Sequence, residues 1–309
     1  MSDLTEIVVI AGPTASGKTG LGIEIARALN GEIISADARQ VYRWMDIGTA
    51  KPTVEEQRAA RHHLIGVVNP DEPYSAGQFA QDGASAIEDI LQRGRVPILV
   101  GGSGLYLKAL LEGFSPVPDV SAGIRSKVRG EAGQDLSGLY SRLQEIDPEW
   151  AEKVHPNDTQ RIVRGIEVFE AVGKKLSDFQ KMPGKPAGNW RARWFGLSVD
   201  REQLYNRINL RAERMVEQGL VEEVRRLKER GFHTGLNALN TFGYREVFDF
   251  LEGRRTLEEA LGEIQQGSRR YAKRQMTWFR GLSQMTWIEP EAALEKVALK
   301  LASREGLFS

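Results

Sequence analysis

Predominantly apolar runs fall at Ile7–Ala11, Glu32–Ala36, Val96–Val100, Arg193–Val199 and Met285–Ile288. Runs of this length, bounded by turn residues, read as strands buried on both faces, and most of the intervening sequence carries the 3.6-residue period of helices. Strands alternating with helices predict an α/β fold: a parallel sheet with flanking helices. Ser75 with Gln78, Asn157 with Gln160 and Asp200 with Gln203 have the spacing of capping boxes, and Gly173, Gly219 and Gly231 stand where helices stop. Between Ser115 and about Gly188 the strand pattern disappears. Pro116-Val117-Pro118 and Met182-Pro183-Gly184-Lys185-Pro186 frame that stretch. We therefore expect a core of residues 1–118 and 189–309, interrupted by a helical insertion domain at 119–188. A helical layer continuous with the core is the alternative.

The first strand runs into Gly12-Pro13-Thr14-Ala15-Ser16-Gly17-Lys18-Thr19, which matches G-x-x-x-x-G-K-[ST] and is followed by a helical pattern to about Leu29. This is a P-loop in its required context, so the fold is expected to be P-loop NTPase-like. Backbone N–H groups turn inward around phosphate oxygens, Lys18 adds a charge, and the Thr19 hydroxyl is a candidate Mg²⁺ ligand. The motif specifies a diphosphate or triphosphate, ATP included, without specifying the reaction. Ligands of open α/β sheets bind at the carboxyl ends of strands. Asp37 and Gly101-Gly102-Ser103-Gly104, each just after a strand, should therefore face the loop. A nucleotide kinase or ATPase would usually carry a metal-binding carboxylate where Val96–Val100 instead ends in Gly101-Gly102. Asp37 is left as the leading acid, either as a base or metal support, or as a helix N-cap. Arg207 and Arg211, one turn apart on a predicted helix, are placed where arginines can be aimed at phosphate.

Composition narrows this reading. The chain has 309 residues, 42 lysines plus arginines and 42 aspartates plus glutamates, so any attraction to a polyanion must be local. It has no cysteine, which excludes disulfides, thiolate metal sites and cysteine nucleophiles. Met1 to Glu6 lacks the pattern of a secretory leader, and no apolar run reaches the roughly 20 residues of a membrane span, so a cytoplasmic location is expected. A local basic patch does exist. From Ile264 to Ile288 there is no acidic residue, while Arg269, Arg270, Lys273, Arg274 and Arg280 are interleaved with Tyr271, Trp278 and Phe279. Helical spacing lets the basic residues track phosphates, whereas Tyr271 and Trp278, seven apart, are expected to be buried.

Longer strings go further. Gly12–Thr19, Ile34–Tyr42 running into Met45–Pro52, His62–Ile65, Gly101–Tyr106, Gln160–Arg164, Gly243–Glu246 and Tyr271–Arg280 together resemble the tRNA dimethylallyltransferase, or tRNA isopentenyltransferase, family over nearly the whole chain. The absence of cysteine excludes the zinc finger of some eukaryotic members, so the resemblance is to the bacterial form.

The resemblance implies transfer of a dimethylallyl group from dimethylallyl diphosphate to N6 of the adenosine 3′ of the anticodon, in tRNAs reading codons that begin with U. It implies Mg²⁺ at Thr19 and diphosphate on Thr14–Thr19. Asp37 matches the family's proposed base, and Ser103 and Arg125 match positions that contact the acceptor. Asp37, Ala38, Arg39 and Gln40 are further implied to meet tRNA. So are Gln160, Arg161 and Arg164 in the insertion, Gly243, Tyr244 and Arg245, and Arg270, Lys273, Arg274 and Arg280. Three positions depart from the commoner pattern: Ala38 in place of serine, Ser103 in place of threonine, and Gly66 in place of aspartate.

The target base is expected to be flipped into the site. Arg161 and Arg164 are weighed against ion pairing with Glu167 and Glu170, and the Arg/Glu pairs of Arg201–Arg230 are read as mostly solvated surface. His62 and His63 read as a hydrogen-bonded structural pair, since four histidines and no cysteine make a poor metal set. A small-molecule kinase, a prenyltransferase acting on free adenine nucleotides and a non-catalytic RNA-binding module are the rival readings. No obligate protein partner is expected, and the protein is expected to be a monomer.

Overall fold

Each apolar run becomes a strand. A computed structural model describes residues 5–302. Its first elements are β1 (Thr5–Ala11), α1 (Lys18–Ala28), β2 (Gly31–Ala36), α2 (Val54–Ala59), β3 (His62–His63), α3 (Ala76–Gln92), β4 (Val96–Gly101) and α4 (Gly104–Leu111). Five helices follow: α5 (Ala122–Gln134), α6 (Leu136–Ile146), α7 (Pro148–Glu152), α8 (Thr159–Val172) and α9 (Leu176–Gln180). The chain then continues through β5 (Trp190–Leu197), α10 (Arg201–Glu217), α11 (Leu220–Glu229), α12 (Tyr244–Leu251), α13 (Leu257–Arg280), β6 (Met285–Ile288) and α14 (Ala293–Ala302). Contacts divide these elements into two units, one running to Leu111 and resuming at Ala187, the other Glu112–Pro186.

The sheet order is β3-β2-β4-β1-β5-β6, and every pairing is parallel. Residues alternate between the faces of a strand. Accordingly Ile7 and Val9 join one core cluster with Ile34, Leu99 and Phe79, while Val8 and Ile10 join another with Ile33, Ile98 and Ile25. Burial on both faces explains why β1 reads as a continuous apolar run. Each fully buried Ile or Val of this kind contributes roughly 1.5–3 kcal/mol. The register sets Ala11 and Ala36 both opposite Gly101, so β1, β2 and β4 end at one level.

Glycine at position 101 follows from that register, because a Cβ there would lie 2.0 Å from the Ala36 carbonyl oxygen. In the unit Glu112–Pro186, helices α5, α6 and α8 enclose Val128, Leu143, Ile162 and Ile166. Buried Asp147 accepts hydrogen bonds there from the Ser177 backbone N–H at 2.9 Å and hydroxyl at 2.6 Å.

Several local expectations shift. The cap of α8 is Asp158, whose carboxylate accepts from the Arg161 N–H, so the box read at Asn157 and Gln160 is displaced by one residue. Gly219, at φ 100°, serves as the N-cap of α11 directly after α10 ends. β3 went unread because two histidines carry no apolar pattern. Its order comes from His63 Nε2, 2.7 Å from buried Glu32, and from His62 Nδ1, which donates to the Ala60 carbonyl.

Candidate active site

The loop Gly12–Thr19 leaves β1 and enters α1 through Gly17, whose φ of 96° is a left-handed conformation that glycine adopts without steric cost. Ala15 takes a left-handed φ of 64° without that freedom. Ser16 Oγ is buried with no hydrogen-bond partner among the described residues, a polar atom inside the loop that a phosphate oxygen would satisfy. Burial holds the Lys18 amine down at about 8, with Asp37 acting in the opposite direction and Arg211 adding to the depression. Burial also lowers the Arg211 guanidinium, which nonetheless donates to Thr14 Oγ1 at 2.5 Å. A cation held in a poorly solvated site gains strongly from an anionic ligand.

Two cavities lie along this surface. The first, about 670 Å³, is lined by Thr14, Ala15, Gly17, Lys18 and Thr19 and by Arg207, Arg211 and Arg214. The second, about 400 Å³, is lined by Ala38, Arg39, Phe242, Arg245, Tyr271 and Arg274. Thr14, Asp37, Thr49 and Arg211 line both, so the cavities adjoin at Asp37. No helix follows Asp37. Its Oδ1 instead accepts from the N–H of Arg39 at 2.8 Å, fixing a turn and pinning the carboxylate between the two spaces.

Ser103 Oγ accepts from the Ala38 N–H at 2.9 Å, tying the β4–α4 tip to the residue after Asp37. The Ser103 side chain also lies beside the Tyr271 phenol. Burial and the nearby Asp37 charge push that phenol up to about 12, so it stays a donor at physiological pH. Gln40 braces the same turn through Ser35 and the Ala50 carbonyl, and Arg39 bonds the carbonyls of Asn237 and Ala238.

Helix α13 covers this end of the sheet. Gln275, 7% exposed, accepts from the Thr14 N–H at 2.9 Å and donates to the Gly102 carbonyl at 2.9 Å. The glycines opposite it are explained by contact: a Cβ on Gly102 would stand 2.3 Å from Gln275 Nε2, and one on Gly104 would stand 2.5 Å from the Trp278 ring. The other face of α13 gathers Arg270, Lys273, Arg274, Thr277 and Trp278 around an open hollow of about 520 Å³.

Some expected tRNA-contacting residues are placed differently. Tyr244 is fully buried and donates to Glu223 at 2.6 Å, so its side chain supports the fold. Glu223, read as solvated surface, is 4% exposed and also accepts the backbone N–H groups of Asp46, Ile47 and Gly48, shaping the loop after Asp37. Tyr271, expected in the core, is 37% exposed and lines the second cavity. Arg245 lines it too, and Gly243 caps α12. Arg269 is tied to Asn209, which takes it out of the patch, and Arg280 lies by Tyr205 along α10. Arg125, Gln160 and Arg161 are exposed in their own unit. Arg161 pairs with Asp158 at 3.5 Å and Arg164 with Glu167 at 3.8 Å, whereas Glu170 pairs with Lys127 and Arg142.

Among the described residues no three His, Cys, Asp or Glu side chains form a metal cage. Thr19 and Asp37 do supply hard oxygen donors to one cavity, which suits Mg²⁺, an ion that completes its shell with phosphate oxygens and water. Among the described residues no helix is long and apolar enough to cross a membrane.

Comparison with known proteins points the same way over most of the chain. The model of the IPP transferase family matches residues 40–282. The chain is 48% identical to tRNA dimethylallyltransferase 1 of Syntrophotalea carbinolica, over 96% of this chain and 94% of that one. It is 46% identical to that of Pelobacter propionicus, over 93% of each chain. Among solved structures it is similar to the tRNA isopentenylpyrophosphate transferase of Bacillus halodurans (TM-score 0.71, 37% identity, 96% of each chain). It is also similar to a eukaryotic dimethylallyltransferase acting on tRNA (TM-score 0.78, 28% identity, 96% of this chain and 77% of that one). With its loop, its Asp37 and its long matching strings, the chain belongs to the tRNA dimethylallyltransferase family of prenyltransferases.

Proposed function

We propose that this chain transfers the dimethylallyl group of dimethylallyl diphosphate to N6 of the adenosine immediately 3′ of the anticodon, in tRNAs reading codons that begin with U. The observation that carries the reading is the pair of cavities adjoining at Asp37. One is lined by a phosphate loop, the other by aromatic and basic side chains, with a single carboxylate between them.

The diphosphate lies on Thr14–Thr19, where loop N–H groups, Lys18 and Arg211 meet its charge. The adenosine is flipped out of the anticodon loop into the second cavity, beside Tyr271 and Phe242. Ser103 and the Ala38 backbone hold the Asp37 turn, so the carboxylate meets the N6 amine. The exocyclic amine is a weak nucleophile because its lone pair is delocalised into the ring. As the N6–C1 bond forms and the C1–O bond breaks, the bonding pair leaves with the diphosphate, and Asp37 accepts the N6 proton. Lys18 and Arg211, half-buried and cationic, stabilise the charge that grows on the leaving group. Mg²⁺, held by Thr19, would add Lewis-acid neutralisation of that diphosphate. Arg270, Lys273 and Arg274 hold RNA phosphates on the exposed face of α13, and Arg245 borders the base pocket. Arg125, Gln160, Arg161 and Arg164 are further RNA-contacting residues. The enzyme works in the cytoplasm as a monomer.

Purified protein, Mg²⁺ and dimethylallyl diphosphate should prenylate an anticodon stem-loop bearing three consecutive adenosines 3′ of the anticodon's centre. Prenylation of free AMP with none of the RNA would overturn the reading.

A further inference from the structure

Gln275 belongs to neither cavity, yet it touches the loops that build both. Its amide oxygen takes the Thr14 N–H and its amide nitrogen reaches the Gly102 carbonyl, each at 2.9 Å, across 261 and 173 residues of sequence. Thr14 is thereby held at two points, by Gln275 through its backbone and by Arg211 through its hydroxyl. The next residue, Ala15, sits at φ 64°, a left-handed conformation that is strained for a non-glycine residue and persists only where neighbours enforce it. Restraint of Thr14 supplies that enforcement directly upstream.

Chemistry narrows what can occupy this position. A neutral amide offers one acceptor and one donor from a single planar group, which matches an N–H on one side and a carbonyl on the other. A carboxylate would repel the Gly102 carbonyl and the diphosphate alike, and a cation would have nothing to give the Thr14 N–H. Gly102 and Gly104 leave the space through which α13 approaches.

We propose that Gln275 is a positioning residue of the reaction: it holds Thr14 so that the amides from Ala15 onward converge on diphosphate, and it joins this donor loop to the Gly102-Ser103 tip on the acceptor side. The inference rests on the reading of Gly12–Thr19 as the diphosphate site. It assigns α13 two tasks, an exposed face carrying Arg270 and Arg274 and a buried face that shapes the donor loop.

The test is calorimetric titration with inorganic diphosphate and Mg²⁺, together with steady-state kinetics. Gln275→Met, which keeps volume and removes both hydrogen bonds, should weaken diphosphate binding at least about tenfold. It should raise the donor KM by a similar factor and leave the RNA KM within about twofold. A residue that only packs would lower the melting temperature and the active fraction while leaving diphosphate affinity within about twofold, and that result overturns the proposal. If Gln275→Met is not recovered folded, Gly102→Ala, whose Cβ would displace the Gln275 amide from 2.3 Å, is held to the same criterion. Calorimetry reads Gln275 even if no prenyl transfer is seen. Failure of the unaltered protein to bind diphosphate overturns the loop reading and this proposal with it.

Discussion

On the donor side the two cations nearest the loop, Lys18 and Arg211, are half-buried. Lys18 is held down at about 8 and Arg211 is lowered by the same burial, with the Asp37 carboxylate between the two cavities as their counter-charge. On the exposed face of α13, Arg270, Lys273 and Arg274 stand in solvent, and one of them, Arg274, lies 5.6 Å from the Tyr271 ring centre. The difference follows from the two ligands. A small diphosphate must be gripped and its developing charge stabilised where water does not screen it. An RNA backbone must be found and released across a large surface, a task for hydrated charges that exchange with counterions. The half-buried cations of the loop and the exposed cations of α13 should therefore respond differently to salt, pH and substitution.

The sharpest way to break this comparison is at Asp37, which both cavities share. Asp37→Ala should slow the single-turnover transfer step by on the order of 10²-fold or more while both ligands still bind, as expected for a lost general base. An unchanged rate would remove Asp37 from that role. Next in size is Lys18. Its amine is depressed from 10.5 to about 8, so in the free protein it is charged below that pH and neutral above it. Donor affinity should fall as pH rises past about 8, approaching tenfold per unit for one proton. Lys18→Met should bind donor at least roughly tenfold more weakly and show no such slope. The same slope in the variant would assign the titration to another group.

Replacing Arg270 and Arg274 together by alanine should weaken RNA binding and flatten its salt dependence by about 1–2 units of log K per log salt, with diphosphate affinity unchanged. Loss of melting temperature alone would mark those arginines as structural. The smallest effect is expected at Tyr271. Tyr271→Phe removes one neutral hydroxyl beside Ser103 and should cost roughly two- to tenfold in kcat/KM for RNA. No change would place the hydroxyl outside the acceptor site.

The parts legible in sequence are those with local patterns. β1, β2, β4, β5 and β6 appeared as apolar runs because a parallel sheet buries both faces, and the phosphate loop was legible because its geometry depends on glycines at fixed spacing. Asp37 was placed by the rule that strand ends face ligands. The illegible parts depend on distant contacts. Glu223 looked like surface within a charged helix, and only the packing of Tyr244 and the 46–48 backbone against it shows why it is buried. Gln275 lies inside a matched string, but its partners are 173 and 261 residues away. The one available hint was the pair of glycines at 102 and 104, which signalled something packed close without saying what. Tyr271 was misread because a seven-residue spacing says that two aromatics share a helix face and does not say whether that face meets a core or a cavity.

The central claim is tested most directly by mass spectrometry of nucleosides from bulk tRNA after incubation with the protein, dimethylallyl diphosphate and Mg²⁺. The account predicts N6-isopentenyladenosine confined to the residue 3′ of the anticodon, in tRNAs whose codons begin with U. Unmodified tRNA, recovered from a reaction in which the protein has consumed the donor, would contradict it.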